Sequence, residues 1–320
     1  SSSSSSSSPA SDPLQQEMPF TFVSDPTCQN TMVSGTYTWN ITSDGVRSYE
    51  LYVPQGIPAN TRVPMVVLLH GYTGTPELIE NAVRMKAVLD DKKWIGVYPL
   101  GEGLIANSWN GAGCCPGAYH KDTDFLKGIT TAISAAMCVD TDNVFAAGFS
   151  NGAFMTHRLA CEAGLNAQGK PLFKAYVTHS GLLGLDFPCT PQYKVPSLSF
   201  HGTADDVVSF EGYAASLLKD PNKVYNSFFE TAQFWERHNG CEPGASGVTV
   251  TVSDTTTCKY HVTCGGVPLK YCWITGDLKH HWSGQAGFGE PGVDIDATAT
   301  MFAYFSHLLP VDSAAWVTSS

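Results

Sequence analysis

The sequence predicts an α/β domain built on a mostly parallel sheet with helices on both faces. Three observations carry that expectation. Short apolar runs rich in β-branched and aromatic residues alternate with segments of helical period, the order that builds a parallel sheet through crossover helices. Some runs, such as "PMVVLLHG", are continuous rather than alternating, as in strands buried on both faces. One run, "NVFAAGFS", leads directly into a glycine-flanked serine and a helix-period segment.

Taken in order, "TYTWN" and "VRSYELYVP" have the composition of strands, and "PMVVLLHG" follows as a buried one. The period then changes. Leu78, Ile79, Ala82, Met85, Val88 and Leu89 recur at three- and four-residue spacing, one face of an amphipathic helix. "WIGVYPLG" is a short strand, "DFLKGITTAISAAM" a helix, "NVFAAGFS" a strand and "NGAFMTHRLACEAG" a helix. "KAYVTHSG" and "PSLSFHGTAD" extend the sheet, and "SFFETAQFWERH" forms a helix. A cysteine-rich strand pair comes next, then a last helix around Met301, Phe302, Phe305 and Leu309. There is no internal repeat and no second core, so one domain is expected over residues 28–320, preceded by a disordered Ser/Pro-rich linker over 1–27.

With 320 residues the chain can bury a substantial core. A net charge of -11, a pI near 5.3 and the lack of any Lys/Arg run argue against a nucleic-acid partner, and favour a neutral or apolar substrate over an anionic one. No stretch of about 18 uninterrupted apolar residues reads as a membrane-spanning helix. Ten cysteines without a CxxC pair or Cys/His ligand spacing point to disulfides rather than a metal, and to a secreted protein. The sequon Asn40-Ile41-Thr42 fits that setting as a glycosylation acceptor. The opening "SSSSSSSSPASDP" cannot pack a core and reads as a flexible tether, with the expectation that a carbohydrate-binding module preceded it.

"GFSNG", Gly148 to Gly152, has the G-x-S-x-G form between an apolar strand and a helix, which makes Ser150 a candidate nucleophile. The flanking glycines remove Cβ atoms that would collide as strand and helix close on each other, and the helix N-terminus favours developing negative charge. A serine hydroxyl needs a general base, and the base needs a carboxylate to fix its tautomer. In folds with this turn the chain order is serine, acid, histidine. Asp205 and Asp206 in "HGTADD" are the candidate acids, and His280 and His281 in "GDLKHHWSG" the candidate bases. Two backbone N–H groups must face the tetrahedral intermediate; those of Asn151, after the nucleophile, and Tyr72, in "LLHGYTG", are expected there. His70 lies before the nucleophile and reads as an organiser of that loop.

Together, "GFSNGAFM", "HGTADDVV", "SWNGAGCC" and the late H-x-W resemble the family that groups secreted feruloyl esterases with polyhydroxybutyrate depolymerases and related carbohydrate esterases, in the α/β-hydrolase superfamily. The resemblance runs from about Tyr49 to Leu309. It implies an α/β-hydrolase fold, Asp205 as the acid and, two positions before Trp282, His280 as the base. His281 then falls on a variable position, solvated or substrate-facing. The chain departs from the family at Leu278-Lys279, Ser283-Gly284 and Ser209, so the loop around the base is expected to have its own shape.

The cysteines can be paired by position. Gly265-Gly266 reads as a hairpin turn that sets Cys258 opposite Cys272, leaving Cys264 to reach Cys241. Cys114 and Cys115 are each expected to bond one of Cys138 and Cys161, which flank the serine turn, and Cys28 to bond Cys189. Trp109, Trp282 and Tyr72 read either as core packing or as walls for an aromatic or sugar group of the substrate, and Trp109, Trp282 and His281 are the candidate substrate-binding residues. The chemistry needs no cofactor or metal. The expected function is release of hydroxycinnamic acids from plant cell-wall polysaccharide. The alternatives are acetylxylan or polyester hydrolysis and, from another class, a non-catalytic carbohydrate-binding protein on an esterase fold.

Overall fold

The computed structural model describes residues 12–15, 20–41, 44–115, 120–212, 225–241, 247–276, 278–284 and 295–309. Six strands form a parallel centre in the order β5 (Ile95–Pro99), β4 (Thr61–Leu69), β6 (Val139–Phe149), β7 (Ala175–His179), β8 (Ser197–Gly202) and β11 (Val267–Ile274). Antiparallel strands flank both sides: β3 (Gly45–Tyr52) and β2 (Gly35–Ile41) beside β5, β10 (Thr256–Cys264) and β9 (Val248–Thr251) beside β11. A two-residue strand, β1 (Val23–Ser24), pairs with the start of β4.

Strand geometry divides each continuous apolar run between two cores, because successive side chains leave opposite faces. In β4, Val63, Met65, Val67 and Leu69 enter one core and Val66 and Leu68 the other. The first core is covered by α3 (Asp122–Ala136), α4 (Asn151–Glu162) and α5 (Phe228–Asn239), through residues such as Phe125, Ile129, Phe154 and Trp235. The second is covered by α1 (Pro76–Val83), α2 (Met85–Lys92) and α6 (Ala297–His307), through Ile79, Leu89, Met301 and Phe305.

The fold differs from the sequence expectations in three places. The helix expected around residues 78–89 is two helices, broken at Arg84, whose φ of 53° is left-handed. Glu80 stabilises the break: its carbonyl accepts the Arg84 N–H at 2.6 Å and its carboxylate the Lys86 N–H at 3.0 Å.

The segment expected as linker is in part docked on the domain. Leu14 is fully buried, and the Asp12 carboxylate lies 2.5 Å from Lys270 Nζ on β11. Lys270 is itself buried, so it needs a counter-charge, which Asp12 of the docked segment supplies. Phe20 meets the edge of Trp94 at 6.4 Å.

Cysteine pairing is the third difference. Cys258 and Cys272 are opposed in the β10–β11 ladder and bonded, and Cys241 is bonded to Cys264. However, Cys28 bonds Cys138, Cys161 bonds Cys189, and Cys114 bonds its neighbour Cys115, in place of Cys28–Cys189 and the links from Cys114/Cys115 to Cys138/Cys161. The N-terminal segment runs back along the end of α3, where Cys138 N donates to Asn30 Oδ1 and Thr31 N to Ala136 O. This course brings Cys28 to Cys138 and leaves Cys161, at the end of α4, to Cys189. Asn40 is exposed on edge strand β2; Thr42 of its sequon lies outside the described residues.

Candidate active site

The site lies at the carboxyl ends of β4, β6, β7 and β8, where loops of a parallel sheet converge. Ser150 stands between β6 and α4 with φ 54° and ψ -123°, outside the regions L residues ordinarily occupy. The turn persists because its surroundings fix it. The Ser150 N–H donates to His179 O at 2.9 Å, and the Ser150 carbonyl accepts the N–H groups of Ala153 and Phe154. A Cβ on Gly148 would strike the Gly152 carbonyl, and one on Gly152 the Leu69 and His70 carbonyls, so only glycine fits on either side.

His280 completes a chain of hydrogen bonds. Ser150 Oγ lies 2.7 Å from His280 Nε2, and His280 Nδ1 lies 2.9 and 3.0 Å from the Asp205 carboxylate oxygens. The acid accepts further hydrogen bonds from Val207 N at 3.0 Å and Val208 N at 2.8 Å. Burial alone would raise the Asp205 pKa, but hydrogen bonding to His280, the electrostatic influence of the His280 and His201 rings and the Val208 N–H hold it below the usual carboxylate value. Asp206 is exposed, and His281, half-buried beside His280, does not enter this chain of bonds.

Gly71 and Tyr72 follow β4 and pass against Ser150; a Cβ on Gly71 would lie 3.2 Å from Ser150 Cβ. His70 shapes this turn. Its Nε2 accepts Gly101 N–H at 2.9 Å, so Nδ1 carries the proton and donates to Gly71 O at 2.7 Å. Burial pushes the His70 pKa down to about 4, which keeps it neutral and unsuited to act as the base. Thr73 N donates to Asn107 O, and Asn107 Nδ2 to Gly74 O.

The tryptophans expected as substrate walls are in the core. Trp109 is fully buried, tilted against His70 at 5.0 Å, with its indole N–H on His70 O at 2.9 Å. Trp282 is 1% exposed, stacks on His179 at 4.9 Å and donates to Thr298 Oγ1 at 2.9 Å. Each indole N–H finds a buried acceptor, so both rings support loops rather than face a ligand. Two buried histidines escaped the sequence reading. His201 Nε2 donates to Val208 O at 2.8 Å and so braces the Asp205 turn, and His179 ends β7 beside Ser150. Their signal in the sequence was a histidine at the end of an otherwise apolar parallel strand, in "KAYVTHSG" and "PSLSFHG".

Residues 116–237 match the serine hydrolase (FSH1) family. The acetyl xylan esterase of Aspergillus awamori superposes on 85% of this chain and 98% of its own, with a TM-score of 0.59 at 16% identity. The chain has the α/β-hydrolase fold. Among curated proteins, the chain is 26% identical over 242 residues to feruloyl esterase B of Piromyces equi, a match covering 73% of the chain and 43% of that protein. It is also 26% identical over 203 residues to a probable feruloyl esterase C of Aspergillus niger, covering 62% of the chain and 64% of the relative. A bifunctional acetylxylan esterase/xylanase of Neocallimastix patriciarum is 26% identical over 167 residues, 52% of the chain and 22% of that protein. The chain thus spans less than two thirds of the length of these relatives.

Proposed function

We propose that the chain is a secreted serine esterase that releases hydroxycinnamic acids from plant cell-wall polysaccharide. The observation that carries the reaction class is the unbroken hydrogen-bond chain Ser150–His280–Asp205 on a strained elbow. In this reading Ser150 Oγ attacks the ester carbonyl while His280 Nε2 takes its proton. Asp205 keeps the proton on Nδ1 and stabilises the imidazolium, and the Tyr72 and Asn151 N–H groups hold the oxyanion. His280 then protonates the departing alcohol, and water, activated by the same base, releases the acid. A non-catalytic binding role is disfavoured, because binding needs no nucleophile aligned with a base at 2.7 Å.

The substrate class rests on the relatives named as feruloyl esterases. An acetylated polysaccharide is the second reading, favoured by the relative named as a bifunctional acetylxylan esterase/xylanase. Secretion is supported by five disulfides. The deciding experiment is kcat/KM for methyl ferulate against 4-nitrophenyl acetate, with Ser150→Ala as the blank. Preference for the ferulate supports the first reading and fast acetate cleavage alone the second. Activity that survives Ser150→Ala, or no labelling by a fluorophosphonate probe, sinks the esterase mechanism.

A further inference from the structure

His179 ends β7, the strand between the one that leads to Ser150 and the one that leads to Asp205. Its backbone and its ring serve two different parts of the triad. The carbonyl accepts the Ser150 N–H at 2.9 Å. The ring Nε2 lies 3.1 Å from Ser283 N and 3.0 Å from Ser283 Oγ, three residues beyond His280. A backbone N–H can only donate, so Nε2 is an acceptor and the ring proton sits on Nδ1, 3.1 Å from Ser180 Oγ. The ring is fully buried and stacks on Trp282 at 4.9 Å and Phe200 at 5.6 Å. Burial pushes its pKa down to about 3, which preserves the neutral form that this acceptor requires.

We propose that His179 is a positioning residue, which references the nucleophile elbow and the base-bearing 280–284 turn to one rigid ring so that His280 Nε2 meets Ser150 Oγ. The proposal rests on the serine-esterase reading above. Stacking on Trp282 would be served by any flat ring of similar size, but only an acceptor at the Nε2 position holds both the N–H and the hydroxyl of Ser283. The Ser150–His280 contact is the one geometry on which proton transfer depends, and a displacement of about 1 Å in such a contact lowers turnover about a hundredfold.

The test is steady-state kinetics on 4-nitrophenyl acetate for wild type, His179→Gln, His179→Asn, Ser283→Ala and Ser150→Ala. Glutamine carries its amide out to the Nε2 position; asparagine reaches only Nδ1. His179→Asn is expected to lower kcat about tenfold to a hundredfold with KM changed less than about twofold, and His179→Gln to recover to within about threefold of wild type. Equal kcat for the two variants, or a loss that falls on KM, overturns the proposal. Ser283→Ala keeps the N–H and loses the hydroxyl; a kcat reduced about threefold is expected, and wild-type kcat overturns the proposal even where the His179 variants do not fold. Full turnover in these variants beside an inactive Ser150→Ala sinks the positioning role alone. Residual turnover in Ser150→Ala sinks the esterase reading itself.

Discussion

Asn151 and Trp109 exchange two hydrogen bonds: Asn151 Oδ1 accepts the Trp109 N–H at 2.7 Å, and Asn151 Nδ2 donates to Trp109 O at 2.9 Å. Both residues are fully buried. Since the Trp109 indole in turn holds His70 O, the segment before Tyr72 and the residue after Ser150 are joined through one tryptophan. The two N–H groups proposed to bind the oxyanion therefore do not move independently. The Cys114–Cys115 disulfide adds to the same junction, with Cys114 Sγ 3.6 Å from Asn151 Nδ2.

Removing the clamp should cost both stability and rate. Asn151→Ala leaves the buried Trp109 N–H and carbonyl without partners, for a loss of about 1–3 kcal/mol read from urea midpoints. A fall in kcat of about tenfold is expected with it, because the oxyanion donors lose their common anchor. Trp109→Phe keeps the backbone exchange with Asn151 and loses the bond to His70 O with part of the ring's packing, so it should show the smaller of the two kcat losses. The reverse order would refute the idea that the clamp aligns the donors.

Asp205→Asn should abolish most turnover while leaving the fold intact. An amide can donate to His280 Nδ1, which favours the tautomer with its proton on Nε2 and removes the acceptor for the Ser150 hydroxyl. The expected loss is about 10³–10⁴ in kcat. Asp206→Asn, on an exposed side chain, should leave kcat within about twofold of wild type. Comparable losses in both would overturn the assignment of the acid.

Stability should fall on acidification before the carboxylates titrate. His157 and His179 have pKa values pushed down to about 3 and His70 to about 4, all by burial, against about 6.5 in the unfolded chain. A depressed folded value means that the unfolded state binds the proton first. The stabilisation is then complete above about pH 6.5 and is lost as pH drops toward 4, with a slope of about 1.4 kcal/mol per pH unit for each histidine. Urea midpoints from pH 8 to 4 read this directly, and a flat profile across pH 6.5 to 5 would contradict it.

The strands of the parallel sheet and the serine turn were legible because each has a local signature, whereas Asp205 and His280 were singled out from their neighbours only by the family resemblance. A continuous apolar run such as "PMVVLLHG" has one stable placement, between two layers of helices, and a glycine-flanked serine after a strand has one geometry. Cys258 and Cys272 were legible for the same reason, since a hairpin fixes its own register. Cys28 and Cys138 are 110 residues apart, and nothing near Cys28 encodes the return of the N-terminal segment along α3. Trp109 and Trp282 look like ligand walls in sequence because they neighbour functional residues. Their burial depends on acceptors, His70 O and Thr298 Oγ1, that only the folded chain brings to them.

Docking of the N-terminal segment yields the last prediction. Lys270 is buried in β11 with Asp12 as its ionic partner, and burial depresses its pKa although Asp12 opposes the shift. Asp12→Ala leaves that ammonium buried without a counter-charge, at an expected loss of about 3–5 kcal/mol near neutral pH. The sign with pH follows from the depressed folded value: the unfolded lysine holds its proton up to about 10.4, so the deficit shrinks as pH rises toward that value. Lys270→Met fills similar space without charge, and adding it to Asp12→Ala should restore most of the stability. Guanidinium midpoints for both single variants and the double variant check this. A deficit in Asp12→Ala that Lys270→Met does not relieve would show that Asp12 acts through the short helix at residues 13–15, where its Oδ1 accepts the Leu14 N–H, and not through the buried ion pair.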